Sequence, residues 1–485
     1  MDDADLRRLG YVPELRRTLD LLASFSIAFS YISPVVGVYT LFGYGLATGG
    51  PAFVWGLPVV VAGQLLVVLV FCELSVAYPL AGALYQWARR LVGPRYGWFV
   101  GWIYGWALII TIAAVDLGAA PYLAELLAIP PTRTAVALLA ALLLAIHTAV
   151  NYEGVRGTAL ITKIGLVTEV IATVVIAGAL LFHPGASGTL LPVSTLFSRQ
   201  TPSGIAGAGG QLAAVLALAW IFYGFESAAD VAEEVLDPGR RVPRAMVLSL
   251  LGAAVVTAVL LVALVLSAPD LAQAASDPAR TIPYILEAHF GPTPLRALLI
   301  LLMFAYLSCA GAAQAAAARL MYSYARDGMV PASAWLRRVS PERRVPGNAI
   351  LFSAAAALMV VAASYVDLGA VNVNALVVSY AVVGVYLSFQ AVVAGRLVAG
   401  VRGWKAAPPA GHFSLGRWGV PVSALALVYG VAMIVNLCWP RPADSVASWL
   451  TLLAGLAIVV PGIVIVLARR LPGQARSGDC APGVG

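Results

Sequence analysis

The residues best suited to chemistry in this sequence are acidic side chains within apolar segments. Asp116 and Glu169 each stand among apolar residues, and Glu226 follows an apolar, aromatic run. A carboxylate in an apolar environment must be neutral, paired with a partner, or able to exchange a proton. All three residues are therefore candidates for coupling a proton to some other event.

More acids follow Glu226 closely along the chain. Glu226, Asp230 and Glu234 recur every four residues, so they would share one face of a helix. Glu233 and Glu234 precede the basic stretch 237–244, and we expect them to pair with its arginines. Glu226 lies deeper in the apolar segment, so the same pairing does not account for it.

Two apolar segments contain residues that disfavour a continuous helix. Pro34 removes a backbone donor and its ring would clash with the carbonyl of Ser30, and Gly37 follows three residues later. In the other segment, Gly224 lies among bulky aromatic residues. Freed backbone groups inside a membrane are tolerated only within protein or beside a water-filled cavity. For Pro34, both a simple kink and a functional break remain open.

Long apolar helices must position these residues. The chain of 485 residues is 61% hydrophobic and only 11% charged, whereas a soluble domain carries roughly 25% charged residues. Several apolar runs exceed the roughly 20 residues that a bilayer requires. We predict an all-α membrane protein with twelve transmembrane spans, numbered in chain order: 19–46, 51–78, 94–129, 134–151, 157–183, 204–236, 242–268, 292–325, 347–366, 370–396, 418–438 and 444–468.

The basic residues indicate an orientation. Of the 30 Lys and Arg residues, 25 fall on the same side as the N-terminus. The other five are Arg133, Arg199, Arg280, Arg296 and Arg441. Because cytoplasmic loops are enriched in Lys and Arg, we predict a multi-pass protein of the plasma membrane with both termini cytoplasmic. The first seventeen residues are rich in charge and no small-residue cleavage site follows, so no cleavable signal peptide is predicted.

The two interrupted spans, 1 and 6, each open a set of five spans. Interrupted helices in corresponding positions are typical of inverted-repeat transporters. We predict a cytoplasmic tail (1–18), a first inverted repeat of spans 1–5 (19–183), a second of spans 6–10 (204–399), two appended spans (418–470) and a cytoplasmic tail (471–485). We predict no separate soluble domain.

At these residues the chain resembles a known group of transporters. It is similar to the amino acid–polyamine–organocation superfamily, most closely to its amino acid/choline transporter branch, over roughly 15–470. The motifs that carry the resemblance are FGYGLATGGP at 42–51, CELSVAYPLAGALYQW at 72–87, GFES at 224–227, EEVLDP at 233–238, VPRA at 242–245 and SYARDG at 323–328. The resemblance implies a five-plus-five inverted fold and a permease for amino acids or related small amines, working by alternating access without ATP.

The resemblance also implies a binding site at the two breaks. Family members hold a substrate carboxylate on small residues of span 1, where this chain has Val35, Val36 and Gly37. Trp220 matches an aromatic position that packs on substrate, with ordinary helix packing as the alternative. Glu226 matches an acid beside the break, with a helix-capping role as the alternative. The residues predicted to bind substrate are Ser33, Pro34, Val35, Val36, Gly37, Trp220, Phe222, Gly224, Phe225 and Glu226.

Glu169 departs most clearly from the family pattern. The alignment of span 5 places it where many sodium-independent members carry a lysine that substitutes for sodium beside broken span 1. Proton carrier is the preferred interpretation, in which the charged form would seek water or a cation such as Lys163, and structural pairing is the alternative. Glu226 and Asp116 are the next candidates for proton coupling. For Asp116 a role in an outer vestibule and a role in helix packing are equally open. Span 8 has Ser308 followed by Cys309, not the adjacent hydroxyl pair of sodium-coupled relatives.

Glu73, near the end of span 2, is expected to be structural, hydrogen-bonded or paired with Arg89 or Arg90. The four cysteines (Cys72, Cys309, Cys438, Cys480) and the four histidines are scattered, so no metal or cofactor is predicted. No basic surface with interleaved aromatics indicates nucleic-acid binding.

The sequence supports other functional classes less well. An enzyme would need a constellation such as Gly-x-Ser-x-Gly or His-Glu-x-x-His, and neither occurs. A transporter-like sensor would be expected to add long soluble extensions. The predicted partners are a small-molecule substrate, protons and the lipid bilayer, and no oligomeric state is assigned. Within transport, choline, γ-aminobutyrate and polyamines are rival substrates, since Tyr31, Trp220, Phe222, Tyr223 and Phe225 could form an aromatic cage.

Overall fold

The computed structural model describes residues 6–7, 9–182, 190–202, 204–278, 280–290, 292–365, 373–406, 410–439 and 445–468. The predicted C-terminal tail, 471–485, lies outside the described residues. Within them the architecture is helical, apart from one short hairpin. Its strands β1 (Gln200–Thr201) and β2 (Gly204–Ile205) pair antiparallel, with Gln200 opposite Ile205.

The α-helices are numbered here in chain order. They are α1 (Leu21–Ile32), α2 (Pro34–Gly49), α3 (Gly56–Ala77), α4 (Ala83–Leu91), α5 (Pro94–Leu126), α6 (Arg133–Glu153), α7 (Val155–Phe182), α8 (Ala208–Ile221), α9 (Ser227–Asp230), α10 (Pro238–Leu266), α11 (Leu271–Ser276), α12 (Thr281–Phe290), α13 (Pro292–Arg326), α14 (Ser333–Leu336), α15 (Gly347–Ala363), α16 (Val373–Val401), α17 (Gly419–Cys438) and α18 (Ser445–Ala468). Short 3₁₀ helices occupy Pro51–Trp55, Val193–Phe197, Ala232–Glu234 and Gly416–Trp418.

Nine helical segments among the described residues are long and apolar enough to cross a bilayer. They correspond to predicted spans 1–5, 7, 8, 10 and 11. Shorter apolar helices, Ala208–Ile221, Gly347–Ala363 and Gly455–Ala468, coincide with spans 6, 9 and 12. The all-α membrane class is confirmed, while the count of twelve stays a prediction.

The outward faces of these helices are apolar. Leu138, Val174 and Val255 are each about two-thirds exposed although they lie within long helices. Exposed apolar surface on this scale marks contact with something other than water. Hydrocarbon is the solvent that suits these faces.

Span 1 consists of two helices that meet at Ser33. Ser33 has a φ of 39°, so the chain leaves the helical conformation there. Pro34 then occupies the first position of α2, where its missing N–H costs nothing. The structure therefore shows a break in span 1 and not a simple kink, one residue before the predicted stretch Pro34–Gly37.

Span 6 departs further from a helix. Helix α8 ends at Ile221, and Gly224 has a φ of 116°. Beyond it lie only the four residues of α9 and the 3₁₀ helix Ala232–Glu234. The prediction of one helix face that carries Glu226, Asp230 and Glu234 is wrong.

The reason lies in a backbone pairing between distant segments. Thr18 and Leu19 donate their N–H groups to the carbonyl of Glu234, both at 2.9 Å. Leu236 returns a bond of 2.8 Å to the carbonyl of Leu19. Between these bonds Val235 is extended, so no helix continues beyond the 3₁₀ helix that ends at Glu234.

The acids at the end of span 6 have different partners from those predicted. Glu233 pairs with Arg326 at 2.8 Å and Glu234 with Arg319 at 2.7 Å, both from α13. The prediction of pairing with the arginines of 237–244 is therefore wrong. Because 232–234 is a 3₁₀ turn packed beside α13, its carboxylates reach that helix instead.

Glu73 also has an unexpected partner. It pairs with Arg396 of α16 at 2.7 Å and accepts the N–H of Leu415 at 3.2 Å. Arg89 pairs instead with Asp327, at 2.9 Å. The chain turns between α3 and α4, so Arg89 and Arg90 belong to a different helix from Glu73 and do not fold back onto it.

The broken span 1 lies at the centre of the helix packing. Helix α1 packs against α7, α10 and α13, while α2 packs against α8. Helix α5 packs against α13 and α16. The two breaks are thus enclosed by spans 3, 5, 7 and 8.

Candidate functional site

The two breaks are in direct contact. A Cβ atom on Gly224 would lie 2.8 Å from the backbone nitrogen of Ile32 and 2.9 Å from the carbonyl carbon of Tyr31. A Cβ atom on Gly37 would lie 2.5 Å from Cγ1 of Ile221. Both positions therefore require glycine, and Gly224 requires it also for its φ. The interruptions of spans 1 and 6 therefore face each other, as one binding site shared by the two breaks requires.

Glu169 reaches the first break from the middle of α7. Its Oε1 accepts a hydrogen bond of 2.6 Å from the hydroxyl of Ser33. The backbone N–H of Val35 also faces the carboxylate. The side chain is fully buried, and its Oε2 has no hydrogen-bond partner among the described residues. Its observed partner is thus the break itself and not Lys163.

Glu226 forms a similar hydrogen bond at the second break. Its Oε2 accepts the N–H of Gly224 at 2.8 Å. Its Oε1 lies 3.2 Å from the hydroxyl of Tyr104, which donates a shorter bond of 2.6 Å to Asp230. Because a phenol carries a single hydrogen, Tyr104 cannot fully satisfy both carboxylates at once.

Aromatic rings cover the junction of the breaks. The ring of Tyr223 packs edge-on against Tyr31, with centroids 6.0 Å apart, and against Trp220, with centroids 5.6 Å apart. Trp220 is only 5% exposed. Phe225 instead packs with Phe71 and Phe389, away from this group. Of the predicted cage, the structure brings together Tyr31, Trp220 and Tyr223.

The remaining predicted binding residues lie in or beside the breaks. Val35 and Val36 are buried in the first turn of α2, next to Pro34. The N–H of Gly37 is already engaged, with the carbonyl of Ser33 at 2.9 Å. Phe222 is fully buried directly after α8.

Comparison with known proteins agrees with this architecture. Residues 19–465 match the family described as amino acid permease. The chain belongs to that family. It is accordingly a permease of the amino acid–polyamine–organocation superfamily, and the family is one of transporters, not of enzymes.

Individual relatives cover most of the permease. It is 26% identical to the amino-acid permease BAT1 homolog of Oryza sativa, over 96% of this chain and 94% of the relative. It is 24% identical to amino-acid permease BAT1 of Arabidopsis thaliana over the same shares. It is 29% identical to the low-affinity putrescine importer PlaP of Escherichia coli, over 72% of this chain and 75% of the relative. Relatives described as carrying amino acids and as carrying a polyamine are thus both similar to it.

Asp116 lies in a separate polar network of the permease. Its Oδ2 is 3.2 Å from Nε2 of His147, and Nδ1 of the same ring is 3.0 Å from Oε1 of Gln314. Since that amide oxygen only accepts, Nδ1 carries a hydrogen. Asp116 and His147 then share one further proton and form a pair with no net charge.

The network continues toward span 1. Asn151 donates to Gln314 at 2.9 Å and accepts from Thr158 at 2.7 Å. Thr162 donates to the carbonyl of Thr158 at 3.0 Å, and Ser30 donates to the carbonyl of Thr162 at 3.0 Å. Spans 3, 4, 5, 8 and 1 are therefore linked by one series of buried hydrogen bonds.

Sequence reasoning missed His147 and Tyr104. His147 and Asn151 stand four residues apart in an apolar span, so they share a helix face, and this spacing could have singled them out. Tyr104 gave no comparable signal, because a tyrosine in an apolar helix is ordinary.

Span 8 meets the first break through Cys309. Its thiol donates to the carbonyl of Tyr31, with sulfur and oxygen 3.4 Å apart. The neighbouring Ser308 hydroxyl packs against Gly165. A thiol is a poor ligand for a hard cation such as sodium, so this contact favours a structural role.

Proposed function

We propose that the permease is a secondary active transporter that moves amino acids or related small amines across the plasma membrane by alternating access. It works as a proton symporter or as an exchanger. The observation that supports this most is the contact between the two breaks, with a buried carboxylate bonded to each. Backbone interruptions of this kind can open and close as one helix bundle moves against another.

Glu169 is proposed as the coupling residue. Charged, it would be a buried anion with one hydroxyl and one backbone amide facing it, and burying an incompletely paired charge is costly. Protonated, it can accept from Ser33 with one oxygen and donate with the other. Opening the site to water would favour the charged form. A difference in proton affinity between two states is what coupling to a proton gradient requires.

Glu226 and Asp230 provide a second group that could hold a proton. Two carboxyl groups gathered around the single hydroxyl of Tyr104 favour one shared proton, since like charges at this separation oppose each other. We rank Glu226 after Glu169, because Glu226 is already fixed by the N–H of Gly224. Asp116 ranks below both, because His147 neutralises it.

The proposal includes the membrane arrangement. Twelve spans would form inverted repeats over 19–183 and 204–399, followed by two appended spans, with both termini cytoplasmic. The excess of basic residues on the N-terminal side supports this orientation. Two of those residues, Arg319 and Arg396, belong to buried ion pairs. The orientation is therefore inferred from the remaining basic residues, which lie in the loops.

Transport in reconstituted vesicles tests the proposal. The purified full-length chain is first screened by thermal shift against amino acids, polyamines, γ-aminobutyrate and choline. Compounds that stabilise it are then offered, radiolabelled, to vesicles with and without an imposed pH gradient. We expect counterflow without a gradient and accumulation with one. Absence of both for every compound in the screen would overturn the proposal.

A further inference from the structure

The backbone donors at the first break are all engaged by the permease itself. Pro34 has no N–H, and the N–H of Val35 faces Glu169. The N–H of Val36 bonds to the Ser33 hydroxyl at 3.4 Å, and that of Gly37 to the Ser33 carbonyl at 2.9 Å. The first turn of α2 therefore has no donor left for a carboxylate from outside. Glu169 occupies the position that such a carboxylate would need.

Several donors of the second break are engaged in a similar way. The carboxylate of Glu226 takes the N–H of Gly224 at 2.8 Å and faces its own backbone N–H. The N–H of Ser227 bonds to the carbonyl of Gly224 at 3.1 Å. A substrate carboxylate at either break would therefore lie beside an acidic side chain that already binds these donors.

The charges around the breaks are unbalanced. Glu169, Glu226 and Asp230 are fully buried, and among the described residues none of them forms an ion pair with Lys or Arg. The nearby basic residue, Arg319, is engaged by Glu234. Oε2 of Glu169 and Oδ1 of Asp230 are also without hydrogen-bond partners in the described part of the chain. Buried carboxylates in this number need protons or a cation to neutralise them.

We propose that the substrate of this permease is a small organic amine cation that lacks a carboxylate, bound at the two breaks between Glu169 and the Glu226–Asp230 pair. The inference rests on the proposed transport function and narrows its substrate class. Ammonium groups supply the donors that the unpartnered carboxylate oxygens lack. The edge-packed rings of Tyr31, Tyr223 and Trp220 add faces on which an ammonium group can rest.

Matched pairs of compounds test this directly. Putrescine and ornithine differ only by the α-carboxylate, and so do cadaverine and lysine. The purified full-length chain is measured by thermal shift and by counterflow without a pH gradient. We expect each amine to compete at least about tenfold better than its amino acid, because a carboxylate placed beside unpaired carboxylates is repelled.

Substitution of Glu169 tests the cause of the preference. Glu169→Ala frees the N–H of Val35 and removes one negative charge. The affinity for ornithine relative to that for putrescine should therefore rise roughly tenfold. Glu125→Ala is the matched control, since Glu125 is an exposed carboxylate at the end of α5. It should leave the ratio unchanged.

The outcomes separate the two proposals. Equal binding of putrescine and ornithine by the wild type overturns this inference and leaves the transport proposal standing. An amine preference that persists undiminished in Glu169→Ala also overturns it. If no compound binds or exchanges, the transport proposal fails and the inference fails with it. The wild-type ratio needs no variant, so the test holds even if Glu169→Ala does not fold.

Discussion

The hydroxyl of Ser33 donates a hydrogen bond of 2.6 Å to Glu169, from the residue that breaks span 1 to the middle of span 5. The two residues are 136 positions apart in the chain. The same hydroxyl accepts the N–H of Val36 and so begins α2. Any change in the protonation of Glu169 therefore acts on the point where span 1 can bend.

Glu169→Gln should separate exchange from coupling. Glutamine keeps the shape and the acceptor for Ser33 but cannot gain or lose a proton. We expect the variant to fold and to catalyse counterflow, with weaker binding of an amine substrate because one negative charge is gone, while accumulation driven by a pH gradient is lost. Radiolabelled uptake into vesicles with an imposed gradient measures both properties.

Ser33→Ala is the control for that experiment. It removes the hydrogen bond and leaves the titratable group, so pH-driven accumulation should persist at a lower rate. If Glu169→Gln still accumulates substrate with the wild-type pH dependence, the coupling role belongs to Glu226 or Asp116.

Gly224→Ala should disrupt the junction of the breaks. Its φ of 116° strains any other residue by about 1–3 kcal/mol, and the new Cβ would lie 2.8 Å from the nitrogen of Ile32. We expect loss of transport and a lower melting temperature in detergent.

Gly204→Ala isolates the effect of contact. Gly204 has the same φ of 116°, but nothing lies within 4 Å of its Cβ position. The Gly204→Ala variant should be destabilised only by the backbone strain and should retain transport. Equal defects in the two variants would mean that the contact between the breaks is unimportant.

The breaks could be predicted from the sequence because their cause is local. Proline and glycine alter the backbone at their own positions, so Pro34 and Gly224 indicate interruptions without knowledge of the fold. The membrane spans could also be predicted from the sequence, since a bilayer imposes apolar composition along each helix.

The partners of the acids could not be predicted in this way. Glu73 bonds to Arg396, 323 residues away, and Tyr104 bonds to Asp230, 126 residues away. Such pairs depend on which helices become neighbours, and composition does not determine that. The nearer arginines, Arg89 and Arg90, were therefore misleading.

The buried pair of Arg319 and Glu234 should be important for stability. Arg319 donates to both carboxylate oxygens, at 2.7 and 3.2 Å. Arg319→Met leaves a buried charge unpaired, which typically costs about 3–5 kcal/mol. We expect a large fall in melting temperature, and partial recovery in the double variant Arg319→Met/Glu234→Met.

Arg280→Met is the comparison for that measurement. Arg280 is 66% exposed and pairs with Glu287 at 3.5 Å. An exposed pair of this kind contributes about 0–1 kcal/mol. If Arg280→Met and Arg319→Met destabilise the protein equally, burial does not govern the strength of these pairs.

Trp220→Ala should weaken transport without preventing insertion into the membrane. The ring packs on Tyr223 beside the breaks, and a cation–π contact contributes about 0.5–2 kcal/mol. We expect a rise of roughly tenfold in the substrate concentration at half-maximal uptake. Trp418→Ala, at a residue that is 58% exposed, should leave uptake unchanged. Unaltered kinetics in Trp220→Ala would remove Trp220 from the site.

Asp116 and His147 should prove structural, in contrast to Glu169. The pair shares its own proton and is held by Gln314, so it can remain neutral through the transport cycle without taking up a proton from water. Asp116→Asn should lower stability by about 1–3 kcal/mol, the cost of a disturbed buried hydrogen bond, and should keep pH-driven accumulation. Melting temperature in detergent and gradient-driven uptake are measured on the same preparation. His147→Gln should behave alike, because both variants disturb the same contact. If either variant retains counterflow but loses accumulation, the coupling proton passes through the Asp116–His147 pair. In that case the hydrogen bonds that continue through Asn151 and Thr158 to Ser30 would transmit the change in protonation to span 1.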